Sequence, residues 1–331
     1  MRKTNIKPAI AFIAMLLGAV TTLSALKVDY SVTYVPEERG SEFLKITRES
    51  DYVCMPKVTR SSRGAQWMTN RILAVSPDGK DIAYLSLRDG LTNIFIKDAE
   101  KQGASRQRTN RSAVVDFTYS PDGKTICFTE SKGKTSNSLF ITDAESGYVC
   151  RQITSGSMDY SPIYSRDKKC IYFCRAEKRS MSIWSYDIGQ NYLSSYTNGA
   201  NPFPSKKENA IYVARPNVDG NGEIWKVNFD SGVEECILSD KSHSFYSPVI
   251  SPDGTKILVV GSSCITSGNT KYWNTDIFTC DIDGTHLQQH TYHAADDLSP
   301  VWSADGKYIY FISQRGNAEG LANVWRMAYN N

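Results

Sequence analysis

The sequence predicts an all-β protein folded as a six-bladed β-propeller, in which a strand from the N-terminal region completes the last blade. Three observations lead to this fold: a turn motif that recurs six times, short β-type segments after each turn, and a last repeat that lacks its fourth strand. Lys and Arg number 38 against 35 Asp and Glu, so the formal net charge is only +3. Binding nucleic acid through the overall field requires clustered positive charge, so we expect no nucleic-acid partner.

The recurring turn reads Ser-Pro-Asp-Gly in its best-preserved copies, and the third and fourth copies are degenerate. Its six serines, spaced 40 to 52 residues apart, are Ser76, Ser120, Ser165, Ser205, Ser251 and Ser303. Proline presets the second position of a β-turn, serine and aspartate hydrogen-bond locally, and glycine accepts a positive φ. A repeat period in the forties is typical of propeller blades.

Two β-type segments follow each turn. The first comprises residues 82–84, 126–128, 171–173, 211–213, 257–259 and 309–311, and the second comprises 94–96, 139–141, 183–184, 224–225, 277–278 and 324–325. Short runs of β-branched and aromatic residues between turns are typical of strands. With one strand before each serine and an outer strand after the second run, each repeat forms a four-stranded antiparallel blade.

The last repeat stops soon after residues 324–327 and has no room for an outer strand. The other outer strands end in a large residue followed by Thr or Ser, and the segment Phe43-Leu44-Lys45-Ile46-Thr47 has the same ending. We predict that residues 43–47 lie beside residues 324–327, because this pairing closes a sheet edge that would otherwise be exposed. The propeller then spans residues 41–331, preceded by a lead segment at 26–40.

Residues 1–25 have the layout of a secretory signal peptide. Arg2, Lys3 and Lys7 precede an apolar run from Pro8 to Val20, and small residues follow it. The run is short for a membrane span, so we expect cleavage near Ala25 and a periplasmic or secreted, monomeric protein that does not span a membrane once processed. The alternative is an uncleaved N-terminal anchor.

The eight cysteines form no C-x-x-C pair and have no histidine partners at zinc-site spacing. An exported chain permits disulfides, but a chain of this size does not need them. We therefore interpret most of the cysteines as small, buried apolar residues.

The repeat from Asp281 to Lys307 contains Asp-Ile-Asp-Gly-Thr and then Asp-Leu-Ser-Pro-Val-Trp-Ser-Ala-Asp-Gly-Lys. It resembles the repeat of TolB-type six-bladed propellers, and the resemblance covers about residues 41–329. It implies a periplasmic protein-binding module whose partner is a protein or peptide, such as an envelope lipoprotein or an outer-membrane complex. TolB-type proteins carry an α/β domain before the propeller, which we expect this chain to lack.

Similar repeats also occur in two groups of enzymes. They precede the hydrolase domain of prolyl-oligopeptidase-like peptidases, but no G-x-S-x-G motif occurs in this sequence. They also build oligogalacturonate lyase, whose propeller holds a metal on histidines. We favour a non-catalytic binding protein without cofactors, and the alternative is a carbohydrate-active enzyme that uses the same channel mouth.

The first candidate site residues are acids and arginines at matched repeat positions. Propeller ligands usually lie at the central channel, on the face of the outer-to-inner connections. Asp159 and Asp297 lie six residues before their serines, and Arg88, Arg175, Arg215 and Arg315 lie ten or twelve residues after theirs. These side chains predict binding of an anionic or peptide ligand. The alternative is that they pair between blades and stabilise the ring.

Two long loops on the same face supply the remaining candidates. The connection from Thr47 to Ser76 contains Trp67, and the second-to-third strand loop of the fifth repeat contains Tyr272 and Trp273. Exposed aromatic residues on loops are typical of protein or sugar binding. The alternative for Trp67 is a buried position in the first inner strand.

Of the four histidines, only His293 reaches a loop at the channel. Metal binding requires several ligands to converge on one ion, and one histidine with acids does not predict a metal site. His293 is therefore a candidate ligand-binding residue, and we expect no catalytic residues and no bound metal.

Overall fold

The computed structural model describes residues 29–61, 64–101, 103–178, 180–267, 270–317 and 319–330. The predicted signal peptide lies outside these ranges. Within them the chain forms an all-β propeller with two 3₁₀ turns, Pro36–Glu38 and Glu49–Asp51. None of the helical segments in this part of the chain has the length and apolar character needed to cross a membrane.

Four antiparallel sheets have four strands each. One contains β4 (Leu73–Val75), β5 (Asp81–Ser86), β6 (Asn93–Asp98) and β7 (Arg106–Gln107). Another contains β16 (Ala200–Pro204), β17 (Ala210–Pro216), β18 (Gly222–Asn228) and β19 (Glu234–Leu238). The third contains β20 (His243–Ile250), β21 (Lys256–Ser267), β22 (Thr270–Asp281) and β23 (Gln288–Gln289). The fourth joins β24 (Asp297–Trp302), β25 (Tyr308–Ser313) and β26 (Asn323–Ala328) to the N-terminal strand β1 (Phe43–Lys45).

The second and third repeats form one eight-stranded sheet. Its first half contains β8 (Val114–Tyr119), β9 (Thr125–Ser131), β10 (Asn137–Asp143) and β11 (Val149–Gln152). Its second half contains β12 (Met158–Tyr164), β13 (Cys170–Ala176), β14 (Met181–Asp187) and β15 (Tyr192–Asn198). The halves are connected by a single parallel pair, Asn137 with Met158, whereas pairing within each half is antiparallel.

Strand β1 pairs antiparallel with β26, with Phe43 opposite Met327 and Lys45 opposite Trp325. Between β1 and β4 the chain forms a separate hairpin of β2 (Val58–Arg60) and β3 (Gln66–Thr69). The inner strands contact one another in sequence order, and β24 also contacts β4. The inner strands therefore surround a common axis, which positions the candidate site.

The recurring turns fold through local hydrogen bonds. The Ser76 hydroxyl donates to Asp78 at 2.6 Å and accepts from the backbone N–H of Asp81 at 2.9 Å. The same serine–aspartate bond recurs at 2.6–2.7 Å in the turns of Ser120, Ser165, Ser251 and Ser303. The degenerate third turn therefore keeps the geometry of the intact ones.

The core lies between the sheets. The isoleucine six positions after each turn serine is fully buried, and these residues are Ile82, Ile126, Ile171, Ile211, Ile257 and Ile309. Burying one such side chain contributes about 1.5–3 kcal/mol to stability. The six repeats thus supply equivalent packing positions to the spaces between sheets.

The seven cysteines whose side chains are described are free thiols. Cys127, Cys174 and Cys280 are buried, as predicted, but Cys236 and Cys264 are exposed. The prediction of buried apolar cysteines is wrong for these two because they lie on an outer strand and on a projecting hairpin, where one face meets solvent.

Candidate functional site

Four inner strands carry a residue with positive φ four positions before the turn serine. These residues are Ser161, Asn201, Ser247 and Ser299, with φ of 51°, 48°, 54° and 51°. A proline follows each of them, and the strand register shifts at the same place. A non-glycine residue keeps this conformation only where surrounding contacts fix it. The repeated bulge turns these polar side chains toward the channel.

The bulge residues hold a short segment of chain, Thr69–Arg71, inside the channel. The Asn201 amide donates to the Thr69 carbonyl at 2.7 Å and accepts from the Thr69 N–H at 3.3 Å. The Ser299 hydroxyl donates to the Asn70 carbonyl at 3.1 Å. The Asn70 side chain donates to Asp116 Oδ2 at 3.3 Å. This end of the channel is therefore filled by the protein's own chain.

Arg71 extends along the axis from this segment. Its Nη1 and Nη2 groups donate to the carbonyls of Pro162 and Pro202, each at 3.2 Å. Burial lowers the pKa of Arg71 to about 10, opposed by the charge of Asp116. Burial also raises the pKa of Asp116 to about 6. The channel thus contains a buried cation. The carboxyl group of Asp116, whose negative charge favours the charged form of Arg71, is itself buried and ionises less readily than an ordinary aspartate.

Gln66 joins the two long insertions across the channel. Its Oε1 accepts from the Tyr246 hydroxyl at 2.8 Å and from the Thr275 hydroxyl at 3.2 Å, and its carbonyl accepts from the Ser244 hydroxyl. Tyr246 and Ser244 lie on β20, and Thr275 lies on β22. The hairpin β2–β3 therefore sits against the base of the hairpin β21–β22, as two parts of one surface.

The three predicted aromatic residues lie on these hairpins and are all half-buried. Trp67 belongs to β3 in the first insertion, so the alternative placement in the first inner strand is wrong; that strand, β4, begins at Leu73. Tyr272 and Trp273 pair across strands with Ile265 and Cys264. The hairpin β21–β22 extends about five residues beyond the middle hairpins of the other repeats, or roughly 17 Å. We name the part of the two hairpins that carries Trp67, Tyr272 and Trp273 the hairpin surface.

Both predicted acids lie in buried ion pairs. Asp159 accepts from Arg175 Nε at 2.7 Å and Nη2 at 3.0 Å. Asp297 accepts from Arg315 Nη2 at 2.5 Å, and Glu38 accepts from both Arg315 terminal nitrogens at 3.0 Å. The side chains of Arg315, Asp297 and Glu38 are fully buried. These groups fix β24 and β25 to the lead segment.

The other two predicted arginines are also paired. Arg88 bonds to Asp51 in the second 3₁₀ turn, and Arg215 bonds to Glu234 at 2.7 and 3.0 Å. The predicted alternative of contacts between blades is seen in part. The ion pairs of Arg175, Arg215 and Arg315 lie within their own sheets, and Arg88 and Arg315 also reach the N-terminal segment. Arg215 in addition donates to the Asn198 carbonyl at 2.9 Å and to the Thr197 hydroxyl at 2.7 Å, both on β15 of the neighbouring blade. A ligand-binding role for these six residues stays a prediction.

His293 is buried, and its Nδ1 accepts the backbone N–H of Ala295 at 2.9 Å. Burial lowers its pKa, and the charge of Arg315 adds to that effect. Sequence reasoning missed Asp276 nearby, whose pKa rises to about 9 because of burial and the charge of Asp297. In the described ranges, no three His, Cys, Asp or Glu side chains come together in a way that could hold a metal ion.

The opposite end of the channel opens to solvent between the recurring turns. It forms a cavity of about 320 Å³ whose walls come from all six repeats. We name it the turn-face cavity. Its lining includes Arg71 at depth, with Arg166 and Lys206 beside the turns of the third and fourth repeats. Sequence reasoning looked for a site at the other end and missed this cavity; the available signal was the Ser-Pro pair at three of the six turns.

Comparison with known proteins gives one family. The family described as the TolB beta propeller domain matches residues 58–239, which is more than half of the chain. A curated TolB homolog from Chlorobium chlorochromatii is 33% identical over 88 residues, which cover 27% of this chain and 20% of that protein. The match thus spans about one fifth of the length of that relative.

Two solved structures show the same fold. TolB from Acinetobacter baumannii has 17% identity and a TM-score of 0.56 over 78% of this chain and 63% of that one. Oligogalacturonate lyase from Vibrio parahaemolyticus has 11% identity and a TM-score of 0.60 over 90% of this chain and 96% of that one. At these identities the likeness establishes the propeller fold and carries no activity.

Proposed function

Because the chain belongs to the TolB β-propeller family, we propose that it is a non-catalytic, exported propeller that binds a protein or peptide partner in the cell envelope. Its propeller spans residues 41–331 after a lead segment at 26–40, and residues 1–25 direct export and are then cleaved off. The mature protein is a monomer that is periplasmic or secreted. An envelope lipoprotein or an outer-membrane complex is the class of partner that the family suggests.

We propose further that the ring has six blades, with the eight-stranded sheet counting as two. Three observations support this count. The halves of that sheet share one residue pair. Each half has the four-stranded order of the other sheets. The six inner strands contact one another in a complete circle. The sixth blade is closed by β1, and its pairing with β26 supports this role.

The binding site that we propose is the hairpin surface. The observation that carries it is the junction at Gln66, which fixes both insertions to each other and to the inner strand β20. A rigid base lowers the entropy that the projecting hairpin loses when a partner binds. Half-buried aromatic residues on such a base present large apolar area with few rotatable bonds.

Affinity capture from envelope extracts tests this proposal. The mature chain is compared with a variant carrying Tyr272→Ala and Trp273→Ala, and with Tyr192→Ala as the control. Tyr192 is 62% exposed on an outer strand, away from both hairpins. We expect a partner that the wild type and the control retain and the double variant loses, at a cost of about 2 kcal/mol or more in a titration with the purified partner. Equal recovery by all three proteins would contradict the proposal.

The alternative function is a carbohydrate-active enzyme at the channel. It would require His293 to converge with acids on a substrate or metal. Burial of His293 and its bond to Ala295, together with the pairing of Asp297 by Arg315, favour a structural use of these groups. Metal analysis of the purified protein tests this reading, since one equivalent of a transition metal would reverse our preference.

A further inference from the structure

The charged residues that line the turn-face cavity are all positive. Its charged lining residues are Arg71, Arg166 and Lys206, and no carboxylate is among the residues that line it. Turn aspartates lie nearby but are engaged locally, as Asp167 is by Ser165 and Asp253 is by Ser251. The cavity is therefore suited to a negative ligand.

Arg71 provides a positive floor. It is held by the carbonyls of Pro162 and Pro202, so its orientation is fixed before any ligand arrives. Two of its five N–H groups are used in these bonds among the described residues. Arg71 as a residue is 9% exposed, so a ligand there meets a largely desolvated guanidinium. An ion–ion contact in such a place is much stronger than at the surface.

Arg166 and Lys206 place two more positive charges at the rim. Arg166 Nη1 donates to the Lys206 carbonyl at 2.5 Å, which brings the two residues together across neighbouring turns. Desolvation and the charge of Arg166 lower the pKa of Lys206. Two adjacent cations at the mouth of the cavity add to the positive potential that draws an anion toward Arg71.

The walls between floor and rim are apolar. They are formed by prolines and aromatic residues from several repeats, namely Pro77, Pro121, Pro204, Pro252, Phe203 and Trp302. The volume of about 320 Å³ lies at the lower end of the roughly 300–1,000 Å³ that is typical of ligand sites. Such a space admits a small molecule or the end of a peptide, and not a folded surface.

We propose that the turn-face cavity binds a carboxylate carried on an apolar body, with the carboxylate directed toward Arg71. The ligand enters from the turn face, and the apolar body packs between the prolines and Phe203. Two sources share this chemistry: the free C-terminus of a peptide with apolar last residues, and a small aromatic carboxylic acid. The site lies at the opposite end of the channel from the hairpin surface and does not depend on the function proposed there.

Isothermal titration of the mature chain tests the proposal with three probes: N-acetyl-leucyl-phenylalanine, its C-terminal amide, and 3-phenylpropionate. We expect the free acid of the peptide to bind at least about tenfold more tightly than the amide, because the amide loses a charge-assisted contact. Comparable affinity for 3-phenylpropionate would assign the site to small acids. A clear preference for the dipeptide would assign it to chain termini.

The variants are Arg166→Gln and Lys206→Gln, whose exposed side chains make loss of folding a minor concern, and Arg71→Lys, which keeps the charge. Lys80→Gln is the matched control, since Lys80 is an exposed turn lysine with the same charge change that does not line the cavity. We expect Arg71→Lys, which loses the planar guanidinium at the floor, to bind the acid about tenfold more weakly. The rim variants should lose about threefold through the weaker positive potential, and the control should lose none. Binding of the acid and amide with equal affinity, unchanged binding by both rim variants, or no binding of any probe at millimolar concentration would each overturn the proposal.

Discussion

The two ends of the channel are built in different ways. At the turn end, each Ser-Pro-Asp-Gly motif satisfies its own polar groups within five residues, as Ser76 does with Asp78 and Asp81. At the hairpin end, the polar groups find partners far away in the chain, as Gln66 does with Tyr246 and Arg315 with Glu38. One end is a set of repeated local units, whereas the other is a single network specific to this chain.

The two ends also differ in how their charged side chains are compensated. The hairpin end buries its arginines against carboxylates, and removing one partner there leaves a charge without water or counter-ion. The turn end leaves its ion pairs in solvent, where each contributes little. Mutations at the hairpin end should therefore have the larger effects on stability, and three variants test this expectation.

Arg315→Met should have the largest effect. The change leaves the carboxylates of Asp297 and Glu38 buried without their cation, and we expect the free energy of unfolding to fall by about 3–5 kcal/mol. Chemical denaturation monitored by tryptophan fluorescence measures the change. Arg215→Met is the matched control, because Arg215 also pairs within its sheet but with the partly exposed Glu234. A loss of about 1 kcal/mol or less is expected there. Equal losses in the two variants would remove the distinction between buried and exposed pairs.

The pH dependence of stability should come next in size, through Asp276. Its pKa in the folded chain is about 9, against 3.8 as the ordinary value, so between these values the folded chain keeps a proton that the unfolded chain has released. The free energy of unfolding therefore falls as the pH rises through this window. The stabilisation that comes from the proton on Asp276 is fully present only below about pH 4. Asp276→Asn removes this titration, and at pH 8 we expect it to be about 1–2 kcal/mol more stable than the wild type.

The control for this measurement is Asp281→Asn at the other end of the same strand. Asp281 bonds to Lys256 and His286, and these contacts lower its pKa to about 2. That variant should keep the decline in stability between pH 5 and 9. Denaturation curves at several pH values measure the free energy of unfolding as a function of pH. If Asp276→Asn left the slope of that dependence unchanged, the Asp276 carboxyl would not be the group that holds the proton.

Lys168→Gly should have the smallest effect, and it should be stabilising. Lys168 has φ of 63° at the position that glycine occupies in four other turns, where φ is 71–76°. Glycine removes the strain of the left-handed conformation, about 1 kcal/mol, and loses the exposed pair of Lys168 with Asp122, which contributes less. We expect a net gain of a few tenths of a kcal/mol in thermal denaturation. Lys168→Ala keeps the strain and loses the pair, so it should destabilise; the opposite order of the two variants would refute the argument.

Sequence reasoning recovered what each repeat encodes locally. Turn serines, buried isoleucines and the two middle strands follow from residue type and spacing alone. It also marked both long insertions, and it located Trp67, Tyr272 and Trp273 on them. It did not foresee the bulges at Ser161 and Asn201, which turn the fourth residue before the serine toward the channel, whereas the prediction considered the sixth; the ligand-binding role of Asp159 and Asp297 stays a prediction. A one-residue bulge changes which face a side chain meets, and periodicity cannot show where it occurs.

The sequence by itself determined an all-β chain of repeated four-strand units, because its turns and strands are stabilised by contacts within a few residues of each other. Only the tertiary structure decided which end of the channel is filled. Segment Thr69–Arg71 lies far in sequence from its partners Asn201 and Ser299, and no local pattern predicts such pairs. The positive turn-face cavity has the same origin, since Arg71, Arg166 and Lys206 meet only once the sheets have assembled around one axis.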